Sequence, residues 1–274
     1  MPETLLADLA RAEETRLAKG FTEISDHWKP FAGGVMARAD PGAWSNAAVG
    51  AGFEGEVSPD AVDELIDFYA SAGIEPRVEV CPYAHVSLAR RLSERGFQIL
   101  WFENVLFRTL APGEVVQPLH PAPPQLTIRT VNPADAKDVD AYADVCTRGF
   151  QPEGAPMPES ALEVARRCAR HPRIVAVLAE LDGNVIGAAA MESHGPIAAL
   201  FGAVVSKAVR RRGIQQAMIA WRLNHAAAAG AKWATIGTRP GHDTERNTRR
   251  VGFEVAYTKV IMVRPAPGLT GVFM

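Results

Sequence analysis

Arg210, Arg211, Arg212 and Gly213 stand between an apolar run ending in Val204-Val205 and a segment of helical periodicity that opens at Ile214. Strand, basic turn and helix in that order suit the binding of a pyrophosphate. The first N–H groups of a helix have no acceptor within it, and the aligned peptide dipoles leave partial positive charge at that end. Gly213 adds access, because a missing Cβ lets a ligand approach the backbone. The N–H groups from Arg211 to Gln216 are the expected donors, with Arg210 and its neighbours supplying charge. The plain alternative is a solvated basic surface, and the neighbouring elements must decide between the two.

Other chemistries have little footing. The seven histidines and three cysteines form neither H-E-x-x-H nor Cys-x-x-Cys, so no metal site is expected. There is no G-x-S-x-G elbow and no Walker loop. Cys81, Cys146 and Cys168 are odd in number and widely spaced, which fits reduced core residues.

The elements that must position the basic turn are well marked. Ile197 to Val205 is nearly all apolar, as a strand buried on both faces would be, and Gly202 within it predicts a bulge or a close backbone approach. Ile214, Met218, Trp221, His225 and Ala228 recur on one helical face, leaving Gln215, Gln216 and Arg222 to face away, and Gly230 stops the helix. Lys232 to Thr238 then reads as a strand and Pro240-Gly241 as a turn. Thr244 is the expected cap of a helix to Arg250, and Gly252-Phe253 leads into an alternating strand through Val255, Tyr257, Lys259, Ile261 and Val263.

On these residues the chain resembles the GNAT N-acetyltransferase superfamily, from about Leu126 to Arg264. The family's R-x-x-G-x-G/A motif after a valine-ended strand is met by Arg210 to Gln215 except at its last position, and its helix ending in glycine-phenylalanine by Asn247 to Phe253. The resemblance orders the remaining pieces: a strand at 126–131, a helix capped by Asn132-Pro133 and running to about Arg148, a helix from Glu159 to Arg170, and a hairpin of 174–180 with 185–191 over Asp182-Gly183-Asn184.

The resemblance also implies a function, an acetyl transfer from acetyl-CoA to a primary amine, of a small molecule or a peptide, by direct attack. Val204 and Val205 would pair with the pantetheine arm. Arg210, Arg211, Arg212, Gly213, Ile214, Gln215 and Gln216 would bind the cofactor's phosphates, and Asn247 would either reach the cofactor or serve its own helix. The family commonly places a tyrosine acid four residues before the Gly-Phe glycine; here that residue is Thr248, a far poorer proton donor. Tyr257 is the substitute acid to consider, and Glu192, near His194, the candidate base. Loss of the tyrosine leaves a non-catalytic acyl-CoA sensor or an interaction module as the alternative.

Placing Gly96-Phe97 on Gly252-Phe253 gives an offset of 156 residues, which carries Val49 onto Val205, Leu65 onto Trp221 and Val80 onto Ile236. The chain is therefore expected to be mixed α/β (α+β), with two tandem GNAT-like domains, each a central, mostly antiparallel sheet flanked by helices. Their expected bounds are 1–110 for a degenerate copy and 125–274 for the acetyl-CoA-binding copy, joined by a stiff proline-rich linker at 111–124. Charge separates the copies. Residues 205–250 hold ten Lys/Arg and two acids, whereas 49–94 hold three Arg and nine acids, so a phosphate-bearing cofactor is drawn to the second. In the first copy Gly50-Ala-Gly52-Phe-Glu-Gly55 fits a dinucleotide fingerprint, but Ser58-Pro59 begin the helix too late and two glutamates sit in the loop, so it reads as a glycine-rich connection.

A formal charge of −2, 47% hydrophobic residues and 22% charged residues fit an ordinary globular protein and give no support to nucleic-acid binding. No apolar run approaches the roughly 20 residues of a membrane span, and the acidic N-terminus is unlike a secretion signal, so the cytoplasm is expected. The sequence leaves a homodimer open.

Overall fold

The computed structural model describes residues 3–152 and 154–271. In chain order the elements are α1 (Glu3–Ile24), β1 (His27–Phe31), β2 (Gly34–Arg38), β3 (Ala47–Val49), α2 (Pro59–Ala70), β4 (Arg77–Val80), α3 (Ser87–Glu94) and β5 (Gln98–Thr109). There follow β6 (Leu126–Thr130), α4 (Ala136–Phe150), α5 (Glu159–Arg170), β7 (Ile174–Leu181), β8 (Asn184–His194) and β9 (Ile197–Val205). The chain ends in α6 (Ile214–Ala228), β10 (Trp233–Thr238), α7 (Asp243–Arg249) and β11 (Glu254–Val263). The 156-residue offset superimposes the second halves of the two copies: α2 on α6, β4 on β10, α3 on α7 and β5 on β11. Gly96 and Gly252, both at positive φ, end the equivalent helices α3 and α7.

Two compact units result, residues 1–105 with 256–274, and residues 106–255. This division differs from the expected 1–110, 111–124 and 125–274. β11 lies antiparallel to β4, from Val260 opposite Val80 to Val263 opposite Arg77, so the end of the chain groups with the first copy. The proline-rich stretch is not a separate connector either. Val116 is buried among Ile219, Leu223 and Phe253, and its backbone exchanges two hydrogen bonds with the Asn224 amide of α6, at 2.7 and 3.1 Å.

The mixed α/β class and the mostly antiparallel sheets are as expected. In the second unit the strand order is β5-β10-β9-β8-β7-β6, parallel at β9/β10 and antiparallel from β9 to β6. Ala-rich β8 and the apolar β7 and β9 form the centre, with α4 and α5 packed on one buried cluster and α6 on two others. The helix starts differ from the sequence reading. Asp135, not Asn132, caps α4 by accepting from the N–H of Lys137, while Asn132 makes a local turn to Ala134. α7 begins at Asp243 behind His242, so Thr244 lies inside it.

The buried face of α6 also corrects the expectation. Gln216 and Arg222 are buried, together with Ile219 and Leu223, while Trp221 and His225 are only partly covered. The helix is apolar around most of its circumference, so the periodicity of five residues did not fix which side faces in.

In the first unit, Ser58 caps α2 and Pro59 opens it, as read from the sequence. The glycines of the fingerprint-like loop are required by the chain itself. A Cβ on Gly50 would lie 2.9 Å from the Glu14 carbonyl oxygen, and one on Gly52 2.9 Å from Ala84 Cβ. This unit also buries an ionic cluster in which Lys259 Nζ lies 2.8 Å from Glu14 Oε1 and 3.2 Å from Glu79 Oε2.

Candidate functional site

All ten residues expected to hold a cofactor line one cleft of about 1600 Å³ in the second unit: Val204, Val205, Arg210, Arg211, Arg212, Gly213, Ile214, Gln215, Gln216 and Asn247. The turn is built from a short 3-10 segment, Lys207–Val209, a left-handed Arg211 at φ 63° and a left-handed Gly213 at φ 76° that serves as N-cap of α6. No side chain among the described residues caps that helix, so its first N–H groups suit an anion. The three arginines are exposed. Arg210 folds back, its Nε donating to the Val205 carbonyl at 3.0 Å, and so ties the turn to the end of β9.

Gly213 has a second reason to be glycine. A Cβ there would lie 3.1 Å from the Pro121 carbonyl oxygen and 3.3 Å from that of His120. The proline-rich stretch therefore packs against Gly213, and residues 120–125 form a wall of the cleft. Nothing in the sequence placed those residues there.

β9 carries the predicted bulge. Ala188 pairs with Val204 but Ala190 with Phe201, so β9 holds one residue more than β8, and Gly202 adopts φ 61°. On its other side β9 pairs with β10 only from Ile197 opposite Trp233 to Leu200 opposite Ile236. β9 itself runs on to Val205 and β10 to Thr238. Of Phe201 to Val205, Val204 is buried and the others are partly buried. Gly149 at the end of α4 closes the same region, since a Cβ on it would come within 2.0 Å of Val204 Cγ1.

Gln215, the departure from the motif, is bonded to Asn247: the Asn247 Nδ2 donates to Gln215 Oε1 at 2.6 Å and joins α7 to α6 at the mouth of the cleft. Asn247 also lines the cleft. Gln216 is 4% exposed and its Oε1 has no partner among the described residues, which leaves an acceptor beside the cleft.

The candidate acid and base are placed elsewhere. Thr248 is fully buried, and its hydroxyl donates to the carbonyls of Thr244 and Glu245 in its own helix. Tyr257 belongs to the first unit, where its buried hydroxyl donates to Glu14 Oε1 at 2.8 Å; burial pushes its pKa well up. Glu192 is 5% exposed and is ion-paired with Arg173 at 2.7 Å, opposite Ala199 on β9. Neither residue lines the cleft. Beside the bulge instead stand Tyr142 and Cys146 of α4, the Cys146 thiol 3.6 Å from the Gly202 carbonyl and pushed up to about 11 by burial.

The cleft combines a basic rim with a helix N-terminus, a setting suited to anionic groups. An uncapped helix end and three exposed guanidinium groups suit an anion. The acceptor oxygen of Gln216 adds a polar contact.

Residues 142–253 match the model of the acetyltransferase (GNAT) family. Among solved structures, a GCN5-related N-acetyltransferase from Kribbella flavida aligns with a TM-score of 0.69 at 20% identity, over 96% of each chain. A tandem GNAT protein from the clavulanic acid biosynthesis pathway aligns at 0.54 and 16% identity, over 75% of this chain and 67% of that one. A GCN5-related N-acetyltransferase from Sphaerobacter thermophilus aligns at 0.50 and 18% identity, over 73% and 64%. No curated protein matches the sequence significantly. At these identities the structural likeness speaks for the fold. No described helix is long and apolar enough to cross a membrane.

Proposed function

We propose that this chain, whose residues 142–253 match the acetyltransferase (GNAT) family model, transfers an acetyl group from acetyl-CoA to a primary amine by direct attack. The observation that carries the reading is the uncapped N-terminus of α6, set in a cleft lined by every residue expected to meet the cofactor. Arg211, Arg212 and the N–H groups opening α6 would hold the pyrophosphate, while Val204 and Val205 would hold the amide arm. Acetyl-CoA supplies the activated acyl group as a thioester.

Gly202 gives the strand its kink where the ladder is interrupted, and a kinked strand frees backbone N–H groups to polarise a carbonyl. The amine attacks that carbonyl carbon: the C–N bond forms, the C–S bond breaks, the amine's proton passes to water and the thiolate takes a proton from water. A thiol of pKa about 8.5 leaves without a strong acid. Tyr257, committed to Glu14, and Thr248, committed to its own helix, have no part in this scheme. Glu192, held by Arg173, serves as a structural ion pair.

A second reading, a non-catalytic acyl-CoA sensor, draws support from the inward turn of Thr248. Calorimetry with CoA tests the shared premise: no heat of binding removes both readings. Thiol release from acetyl-CoA across a panel of amines then divides them, because saturable release that depends on the amine requires an enzyme and its absence across the panel a sensor.

A further inference from the structure

Arg222 is fully buried in the second unit, on the face of α6 that packs against the sheet. Its Nε donates to the Met218 carbonyl at 3.1 Å, and its Nη1 donates to the carbonyls of Ala190 at 2.8 Å and Phe201 at 3.3 Å. Ala190 and Phe201 are register partners, the last pair before the bulge breaks the ladder between β8 and β9. The guanidinium therefore bridges the two strands where their own pairing fails. No carboxylate pairs with it among the described residues, and Nη2 is buried without a hydrogen-bond partner.

A buried cation without a counter-charge is costly, and ordinary packing does not call for one. A Met or Leu would fill the same volume at less cost. The titratable group facing it from α4 is Tyr142, itself buried beside Cys146 and Cys168 and held neutral by that burial. On β8 the nearest acid, Glu192, is taken by Arg173. On α6, His225 stacks on Trp221 with ring centroids 5.2 Å apart. Burial lowers the Arg222 pKa to about 10, so the charge persists at neutral pH.

We propose that Arg222 is a positioning residue for thioester cleavage: it fixes the bulge at Gly202 and supplies a permanent positive field that favours negative charge on the departing sulfur. In that role it stands in for the missing phenol at Thr248, through the field and not through a proton. The same helix ties the two functions together, since α6 offers its first N–H groups to the phosphates and, two turns later, its guanidinium to the bulge. The inference rests on the acyl-CoA reading above.

The test titrates the thiol of CoA bound at saturation to the intact protein, following the ultraviolet absorbance of the thiolate against pH. In the wild type the bound thiol is expected to ionise about one pH unit below that of free CoA titrated in the same buffer. Arg222→Met, which keeps volume and removes charge, is expected to restore the ordinary value and to lower kcat by up to about tenfold with the Kd for CoA changed less than about threefold. Arg222→Lys, which keeps the charge and loses the fork, is expected to retain most of the shift. A bound thiol that ionises at or above its free value in the wild type overturns the proposal even if Arg222→Met fails to fold. An equal shift in wild type and a folded Arg222→Met overturns it too. Failure of the wild type to bind CoA at all is the separate outcome that sinks the underlying reading.

Discussion

Gly213→Ala separates two reasons for a glycine at the head of α6. The residue sits at φ 76°, and an L-residue in the left-handed region costs about 1–2 kcal/mol. The added methyl would also stand 3.1 and 3.3 Å from the Pro121 and His120 carbonyl oxygens, and that stretch cannot simply slide away because Val116 is held to Asn224 by two hydrogen bonds. Backbone strain alone predicts a loss of about 1–2 kcal/mol in chemical denaturation. If the loop must keep its shape to bind, the Kd for CoA measured by calorimetry rises about 5- to 30-fold. Gly213→Asn carries the same Cβ but tolerates the left-handed region better than Ala. Asn is expected to recover the backbone part and leave the clash with the proline-rich wall. Full recovery by Asn would refute the contact with residues 120–121 as a constraint on the loop. An Ala variant that matches the wild type in both stability and Kd would refute the loop geometry itself.

Four further outcomes are expected. In a double-mutant cycle, Gln215→Ala and Asn247→Ala should couple by about 1 kcal/mol in denaturation, and additive effects would remove their hydrogen bond as the link between α6 and α7. Glu192→Gln should lower stability by about 1–2 kcal/mol through loss of the Arg173 pair while the pH–rate profile keeps its shape; a lost alkaline or acidic limb would restore Glu192 as a base. Burial, then the nearby Glu79, raise Glu103 to about 7, so the native state binds its proton more tightly than the unfolded chain. Its contribution is complete below about pH 4.5 and is lost as pH rises through 7, so denaturation should show stability falling by about 2 kcal/mol from pH 5 to pH 8, a slope that Glu103→Gln flattens. Gly202→Ala meets Cys146 and Tyr142 only at ordinary contact distances of 3.4 and 3.5 Å, so its cost of about 1–2 kcal/mol is strain at φ 61°; no loss of stability would mean that the bulge relaxes.

Much of this was legible in the residues. Val204-Val205, the arginine turn, Gly213 and the Gly-Phe pair are short local signals, and local signals survive translation into structure because they concern adjacent backbone. The 156-residue offset worked for the same reason: every element from β4 to β5 returns in register from β10 to β11. What was hidden depends on contacts between distant segments. His120 and Pro121 carry no mark of lying against Gly213, and the three-residue β3 meets β4 at the single pair Ala48 and Val78. Arg222 looked like a solvated charge because α6 is apolar on nearly every side and charge is the ordinary cue for the outside. The cap of α4 was misplaced because Asn132 and Asp135 are both good caps, and only the backbone decides between them.

That the unit boundaries fall within β5 and β11 has a practical consequence. β5 leaves the first unit after Val105, and β11 enters it at Ala256. A clone begun at residue 125 would keep the arginine turn yet lack Leu106, Leu110 and Val116 from the core around Ile219 and Phe253. It would also carry Val260 to Val263 with their β4 partner gone, a sticky, unsatisfied ribbon prone to self-association. A cut at residue 125 thus follows the repeat but divides both units.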